Sequence, residues 1–179
     1  SHPDYAGLDI RLDTPAAAVI GNGNVALDVA RVLAKTATEM RGSDIADYAE
    51  QAICRAPIRD IHIVGRRGPE HVKFTPKELG EMAGLERCVP LIARADMPGP
   101  DRDAEQPSHL RKVLPILRDF AANSPDMKPV RIHFVFHAQP VEILGSERVC
   151  GLRLERTRIV DGRAQGTGET VDVPCGLVF

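Results

Sequence analysis

One short segment narrows the possible folds more than any other. Ala16-Ala-Ala-Val-Ile20 is an unbroken apolar run, the pattern of a strand buried on both faces. It leads straight into Gly21-Asn-Gly-Asn-Val-Ala26, after which Val25, Val29, Val32 and Leu33 recur at helical spacing. Strand, glycine turn and helix in that order predict a β–α unit of an open α/β sheet. The glycines follow the dinucleotide-binding pattern G-x-G-x-x-A. Gly21 permits the tight turn, Gly23 lets the backbone approach a pyrophosphate, and Ala26 lets helix and strand pack closely. The N–H groups of Asn24 and Val25 fall at the helix N-terminus, where the dipole favours an anion. The same turn also occurs as a purely structural connection, so its chemistry depends on what faces it.

What faces it is expected to be the end of the next strand. Residues 58–64 read as a second buried strand, closing on Gly65-Arg66-Arg67-Gly68-Pro69. An NAD site would place Asp or Glu at that edge to accept from the ribose 2′-OH. Two guanidiniums instead offer forked donors to a 2′-phosphate. Each charge-assisted bond contributes about 1.5–3 kcal/mol, so two would favour NADP over NAD by about a hundredfold or more. The competing reading is a solvated basic turn. The spacing from Gly21 exceeds the about 20 residues of the simple template. A helix predicted over 44–54, with Ser43 or Asp44 as N-cap, accounts for the excess.

Further along, Thr75-Pro-Lys-Glu78 has the form of a capping box and predicts a short helix through Met82. Residues 95–107 are a surface loop by composition, and a helix over 108–122 is expected to bend at Pro115. The period then changes to two, with strands over 130–137, 141–144 and 149–160 and a turn at Asp161-Gly162. Short strands over 171–173 and 177–179 finish the chain. The expected fold class is therefore α/β: a Rossmann-like open parallel sheet with an antiparallel β side sheet. The chain ends on an apolar strand without a polar tail, as a piece of a longer protein would.

Composition excludes several other classes. With 23 Lys+Arg against 25 Asp+Glu the chain is near neutral, which disfavours a dedicated nucleic-acid binder. No apolar run reaches the roughly 18–20 residues of a membrane span, and polar residues 1–13 do not form a signal peptide. Cys54, Cys88, Cys150 and Cys175 are scattered, so free thiols and a reducing, cytoplasmic setting are expected. His133 and His137 would lie about 13 Å apart on one strand, too far to share an ion. His62 reads as a core histidine, and Arg153, Glu155 and Arg158 as a solvated face. Gly166-Thr-Gly168 has no helix after it and reads as a turn in a polar loop, not a second fingerprint.

Several of these stretches together resemble one family. Val19-Ile-Gly-Asn-Gly-Asn-Val-Ala-Leu-Asp-Val-Ala-Arg31, Ser43-Asp-Ile45, Val64-Gly-Arg-Arg-Gly-Pro69, Phe74-Thr-Pro-Lys-Glu-Leu79 and Val173-Pro-Cys-Gly-Leu177 are similar, in order, to the adrenodoxin-reductase-type ferredoxin–NADP reductases. The resemblance implies that residues 1–179 form a single NADP-binding domain. In the parent it would be inserted between two halves of an FAD domain not present here. It implies that Asn22, Gly23, Asn24 and Val25 hold the NADP pyrophosphate, that Arg66 and Arg67 clamp the 2′-phosphate, and that Glu78 contacts the cofactor. As a sequence feature, Glu78 is equally a capping partner of Thr75. The implied activity is hydride transfer between NADPH and FAD, with electrons passing to or from a ferredoxin-like iron–sulfur protein. The flavin does that chemistry, so no catalytic side chain is assigned here and the domain alone is expected to be inactive. An acidic partner would dock near Arg111, Lys112 and Arg118, although Gly80 stands where the family pattern suggests Arg. Two other readings stay open: the electron-input module of a glutamate-synthase-like flavoprotein, and a non-catalytic NADP-sensing domain.

Overall fold

A computed structural model describes residues 11–179, apart from the side chain of residue 102. Residues 1–10, most of the polar stretch read above as lacking a signal peptide, lie outside the described part. Strands β1 (Ala16–Ile20) and β2 (Asp60–Val64) pair in parallel, with Ile20 opposite Val64, so the glycine turn and the arginine turn leave the sheet side by side. On the far side of β2 lies β4 (Val130–Val135). The edge strand β3 (Cys88–Ile92) follows it, and the two-residue β8 (Leu177–Val178) closes the other side against β1. The sheet order is β3-β4-β2-β1-β8.

Helices α1 (Asn24–Ala34), α4 (Pro76–Ala83) and α5 (Leu110–Ala122) cover one face. Their apolar stripes, with Leu27, Leu79 and Leu117 fully buried, share one core with Ile61, Ile63, Ile132 and Phe134 of the sheet. The opposite face is partly covered by an antiparallel sheet of β5 (Ala138–Leu144), β6 (Gly151–Val160) and β7 (Arg163–Pro174). Leu152 and Leu154 there pack on Ala16, Ala18 and Val64 in a second, smaller core. The open parallel sheet with an antiparallel side sheet is thus the observed architecture. Among the described residues no helix is long and apolar enough to cross a membrane.

Several local expectations are corrected. The helix expected over 44–54 is α3 (Asp47–Arg55), preceded by Ala46 without a side-chain cap. Ser43 instead donates its hydroxyl to the Met40 carbonyl at 2.7 Å, closing α2 (Ala37–Met40). That extra helix carries a reciprocal capping box between Thr36 and Glu39. Strand β3 was masked in the sequence by Pro90, which an edge strand tolerates because its missing N–H breaks no interior ladder. The segment 95–107 is shaped by 3-10 turns at Arg94–Asp96 and Pro100–Glu105, and α5 starts at Leu110 and runs on through Pro115.

Gly166-Thr-Gly168 is not a loop turn. It lies inside β7 at a bulge, where the register slips between Glu155 and Thr157. The Gly168 N–H donates to the Glu155 carboxylate at 2.9 Å, so this carboxylate organises the bulge. His62 is half-buried on the sheet face and stacks on His133 at 4.8 Å, so it is not a core residue. The chain leaves β4 before His137, whose φ is 51°. All four cysteines are free.

Candidate functional site

Gly21 has φ 135°, a conformation closed to ordinary side chains, and its N–H ties the turn to the Val64 carbonyl at 2.9 Å. Gly23 is the N-cap of α1, with φ −126° and ψ 174°, extended backbone that any residue adopts. A Cβ added at Gly23 would meet no protein atom within 4 Å. Neither backbone strain nor packing requires glycine there; what a side chain would take is the open space above the turn. α1 has no side-chain N-cap and no acidic residue in its first turn. The Gly23 carbonyl accepts from Ala26 and Leu27 at 3.0 and 3.4 Å. The Asn24 and Val25 N–H groups have no partner among the described residues, which leaves the positive end of the helix available to an anion.

The arginine turn after β2 is fixed by the antiparallel sheet. Gly65 donates to the Val135 carbonyl at 2.9 Å and accepts from the Ala138 N–H at 3.1 Å. The hydroxyl of Thr157, on β6 and buried, donates to the Arg66 carbonyl at 2.8 Å. The Asn22 amide lies against Gly65, where a Cβ would collide with it. Arg66 is exposed and Arg67 half-buried, and neither guanidinium has a carboxylate partner among the described residues.

These pieces form the walls of one cleft of about 620 Å³. Gly21, Asn22, Gly23, Arg66 and Arg67 line it together with His71, Lys73 and Gln139, and no carboxylate is among its lining residues. A second cleft of about 370 Å³ adjoins it across the turn, lined by Asn24, Val25, Val29 and Phe179. The segment leading into α4 crosses the turn. Lys73 donates its N–H to the Asn22 carbonyl at 3.1 Å, and Thr75 donates its own to Asn24 Oδ1 at 3.0 Å. His71, Lys73 and Gln139 are lining residues that sequence reasoning missed. The alternation of buried Val72 and Phe74 around Lys73 was the available signal, but nothing in linear order places 71–75 against the glycine turn.

Glu78 lines neither cleft. Its Oε2 lies 3.0 Å from Arg31 on α1, which also meets Asp28 and Glu81. Thr75 caps α4 by accepting from the Glu78 N–H at 3.3 Å. The reciprocal half of the expected box is supplied by Asn24, not by Glu78. On α5, Arg111 and Lys112 are exposed in the first turn. Arg118 grips Asp103 with two hydrogen bonds of 2.5 and 2.6 Å, which hold the Asp103 carboxyl below its ordinary pKa.

The parallel sheet, the open glycine turn at its C-terminal edge and the adjacent cationic turn define a Rossmann-like domain of the FAD/NAD(P)-binding class. No family model matches the chain. Individual proteins do. It is 36% identical over 197 residues to the mitochondrial NADPH:adrenodoxin oxidoreductase of Arabidopsis thaliana, a match spanning 99% of this chain and 40% of that protein. It is 37% identical over 185 residues to the NADPH-ferredoxin reductase FprA of Mycobacterium tuberculosis, again 99% of this chain and 41% of the relative. The solved structure of M. tuberculosis FprA in complex with NADPH superposes with a TM-score of 0.91 at 34% identity, over 99% of this chain and 40% of that one. The chain is homologous along nearly its whole length to a segment of the adrenodoxin-reductase-type ferredoxin–NADP reductases. It spans about two fifths of the length of these relatives. The glutamate-synthase-like and sensor readings draw no support from them.

Proposed function

We propose that this chain is the NADP(H)-binding domain of a flavin-dependent ferredoxin–NADP reductase. One observation carries the reading: the open glycine turn and the unpaired arginine turn share a single cleft whose lining has no carboxylate. Such a cleft suits a ligand with a pyrophosphate near one wall and a further phosphate near the other. The Asn24 and Val25 N–H groups would donate to the pyrophosphate at the helix N-terminus. Arg66 and Arg67 would bind the 2′-phosphate by forked hydrogen bonds, excluding nothing but favouring NADP over NAD. The second cleft, walled by Val25, Val29 and Phe179, offers an apolar path for the nicotinamide end. In the parent, residues 1–179 would hold NADP(H) beside a flavin carried by a two-part FAD domain around them. The flavin would supply two-electron hydride exchange with the nicotinamide, coupled to one-electron exchange with an iron–sulfur protein, in the same direction through both. The chain alone would bind the nucleotide without turnover.

The exposed Arg111 and Lys112 are the candidate contacts for that acidic partner, with Arg118 contributing less because Asp103 already neutralises it. Four free thiols suit a reducing compartment, the cytoplasm in the simplest case.

Calorimetric titration with NADP⁺ and NAD⁺ tests the assignment. The unaltered chain should prefer NADP⁺ by about a hundredfold, and Arg66→Ala/Arg67→Ala should abolish the preference while leaving NAD⁺ binding unchanged. Equal affinity of the unaltered chain for the two nucleotides would refute the clamp.

A further inference from the structure

The two clefts at the glycine turn share four lining residues: Ile20, Gly21, Gly23 and Lys73. Three belong to β1 and its turn. Lys73 alone arrives from elsewhere, on the segment that crosses over from the arginine turn towards α4. Its backbone is held there by the hydrogen bond to Asn22, and the flanking Val72 and Phe74 are buried at 2% and 1% exposure. With its neighbours anchored inward, an extended backbone directs the Lys73 side chain outward. The ammonium has no carboxylate or carbonyl partner among the described residues.

The geometry points to Lys73 as a pyrophosphate anchor, a further cofactor-binding residue that rests on the dinucleotide reading above. A dinucleotide with its 2′-phosphate at Arg66 and Arg67 and its nicotinamide over Val25 and Val29 has to cross the shared rim at its pyrophosphate. Lys73, which lines both clefts at that rim, would add a side-chain cation to the N–H groups of the helix N-terminus. Its positive charge would complete a binding set in which the 2′-phosphate and the pyrophosphate are read by different cations.

Ligands that carry one phosphate centre each separate the two roles. Adenosine 2′-monophosphate has the 2′-phosphate and no pyrophosphate; ADP-ribose has the reverse; NADP⁺ has both. Calorimetry on the 179-residue chain should find that Lys73→Met weakens NADP⁺ and ADP-ribose by about tenfold, the factor that 1.4 kcal/mol represents. Adenosine 2′-monophosphate should bind that variant as it binds the unaltered chain. Arg66→Ala/Arg67→Ala should weaken NADP⁺ and adenosine 2′-monophosphate and leave ADP-ribose unchanged, and Lys77→Met, on the adjacent helix and outside both clefts, should change none of the three. Lys73→Met binding NADP⁺ and ADP-ribose at full strength would overturn the anchor, as would a proportional loss of adenosine 2′-monophosphate. If the unaltered chain does not prefer NADP⁺ over NAD⁺ but Lys73→Met still weakens ADP-ribose, the NADP assignment falls and the anchor stands. A folded chain that binds neither NADP⁺ nor ADP-ribose overturns both.

Discussion

Gly21 and Gly23 stand two positions apart and answer to different constraints. Gly21 is required by the backbone, because φ 135° is strained for any side chain. Gly23 is required by nothing in the protein, since its conformation is ordinary and a Cβ there meets open space. The same substitution should therefore have separable effects. Gly21→Ala should lower stability by about 1–3 kcal/mol, read as a shifted urea midpoint. Gly23→Ala should cost less than about 1 kcal/mol yet weaken NADP⁺ by tenfold or more, because the methyl group occupies the space where the pyrophosphate would lie. A Gly23→Ala chain that binds NADP⁺ normally would remove the turn from the site. At this scale the sequence was informative about Gly21, Asn22, Gly23, Arg66 and Arg67, which converge on one cleft because two adjacent parallel strands end at the same level. It was uninformative about Arg31, whose pairing with Glu78 depends on how α1 and α4 pack.

At the scale of elements, the arginine turn is placed by a sheet that contributes little to its sequence signature. The Thr157 hydroxyl, from β6, holds the Arg66 carbonyl, and the link between β4 and β5 holds Gly65. Thr157→Val keeps the shape and removes the donor, leaving the Arg66 carbonyl without this bond; destabilisation of about 1–3 kcal/mol follows. The arginines should also lose their fixed aim, so the ratio of NADP⁺ to NAD⁺ affinity should fall. Unchanged selectivity by calorimetry would mean that the turn holds its own shape. The element boundaries missed from sequence have the same non-local origin. Pro90 is acceptable in β3 only because that strand lies at the edge of the sheet, and the β7 bulge is organised by Glu155 across the ladder. The Thr36-x-x-Glu39 capping box of α2, by contrast, is local and stands in the sequence itself.

For the molecule as a whole, the half-covered sheet face makes stability depend on pH. Where the antiparallel sheet does not reach, Asp60 and His62 on β2 meet Arg131 and His133 on β4. Burial, reinforced by the nearby His133, pushes His62 from 6.5 down to about 4, against the opposing pull of Asp60. Its folded-state pKa is depressed, so between about 6.5 and 4 the unfolded chain takes up a proton that the folded chain refuses. Stability from this residue is therefore fully present above 6.5 and declines as pH falls towards 4, by at most about 3 kcal/mol. Asp60 acts in a lower window. Burial opposes its ionisation, but hydrogen bonds from Arg131 and His133 outweigh that and lower its pKa below 3.8, so its contribution persists until the medium is more acidic still. His62→Leu keeps an apolar body of similar size on the sheet and removes the titrating ring. Urea unfolding of both chains at pH 7 and pH 4.5 should show a fall in stability for the unaltered chain that the variant largely lacks. Equal falls in the two chains would assign the acid sensitivity to carboxylates elsewhere and clear His62 of it.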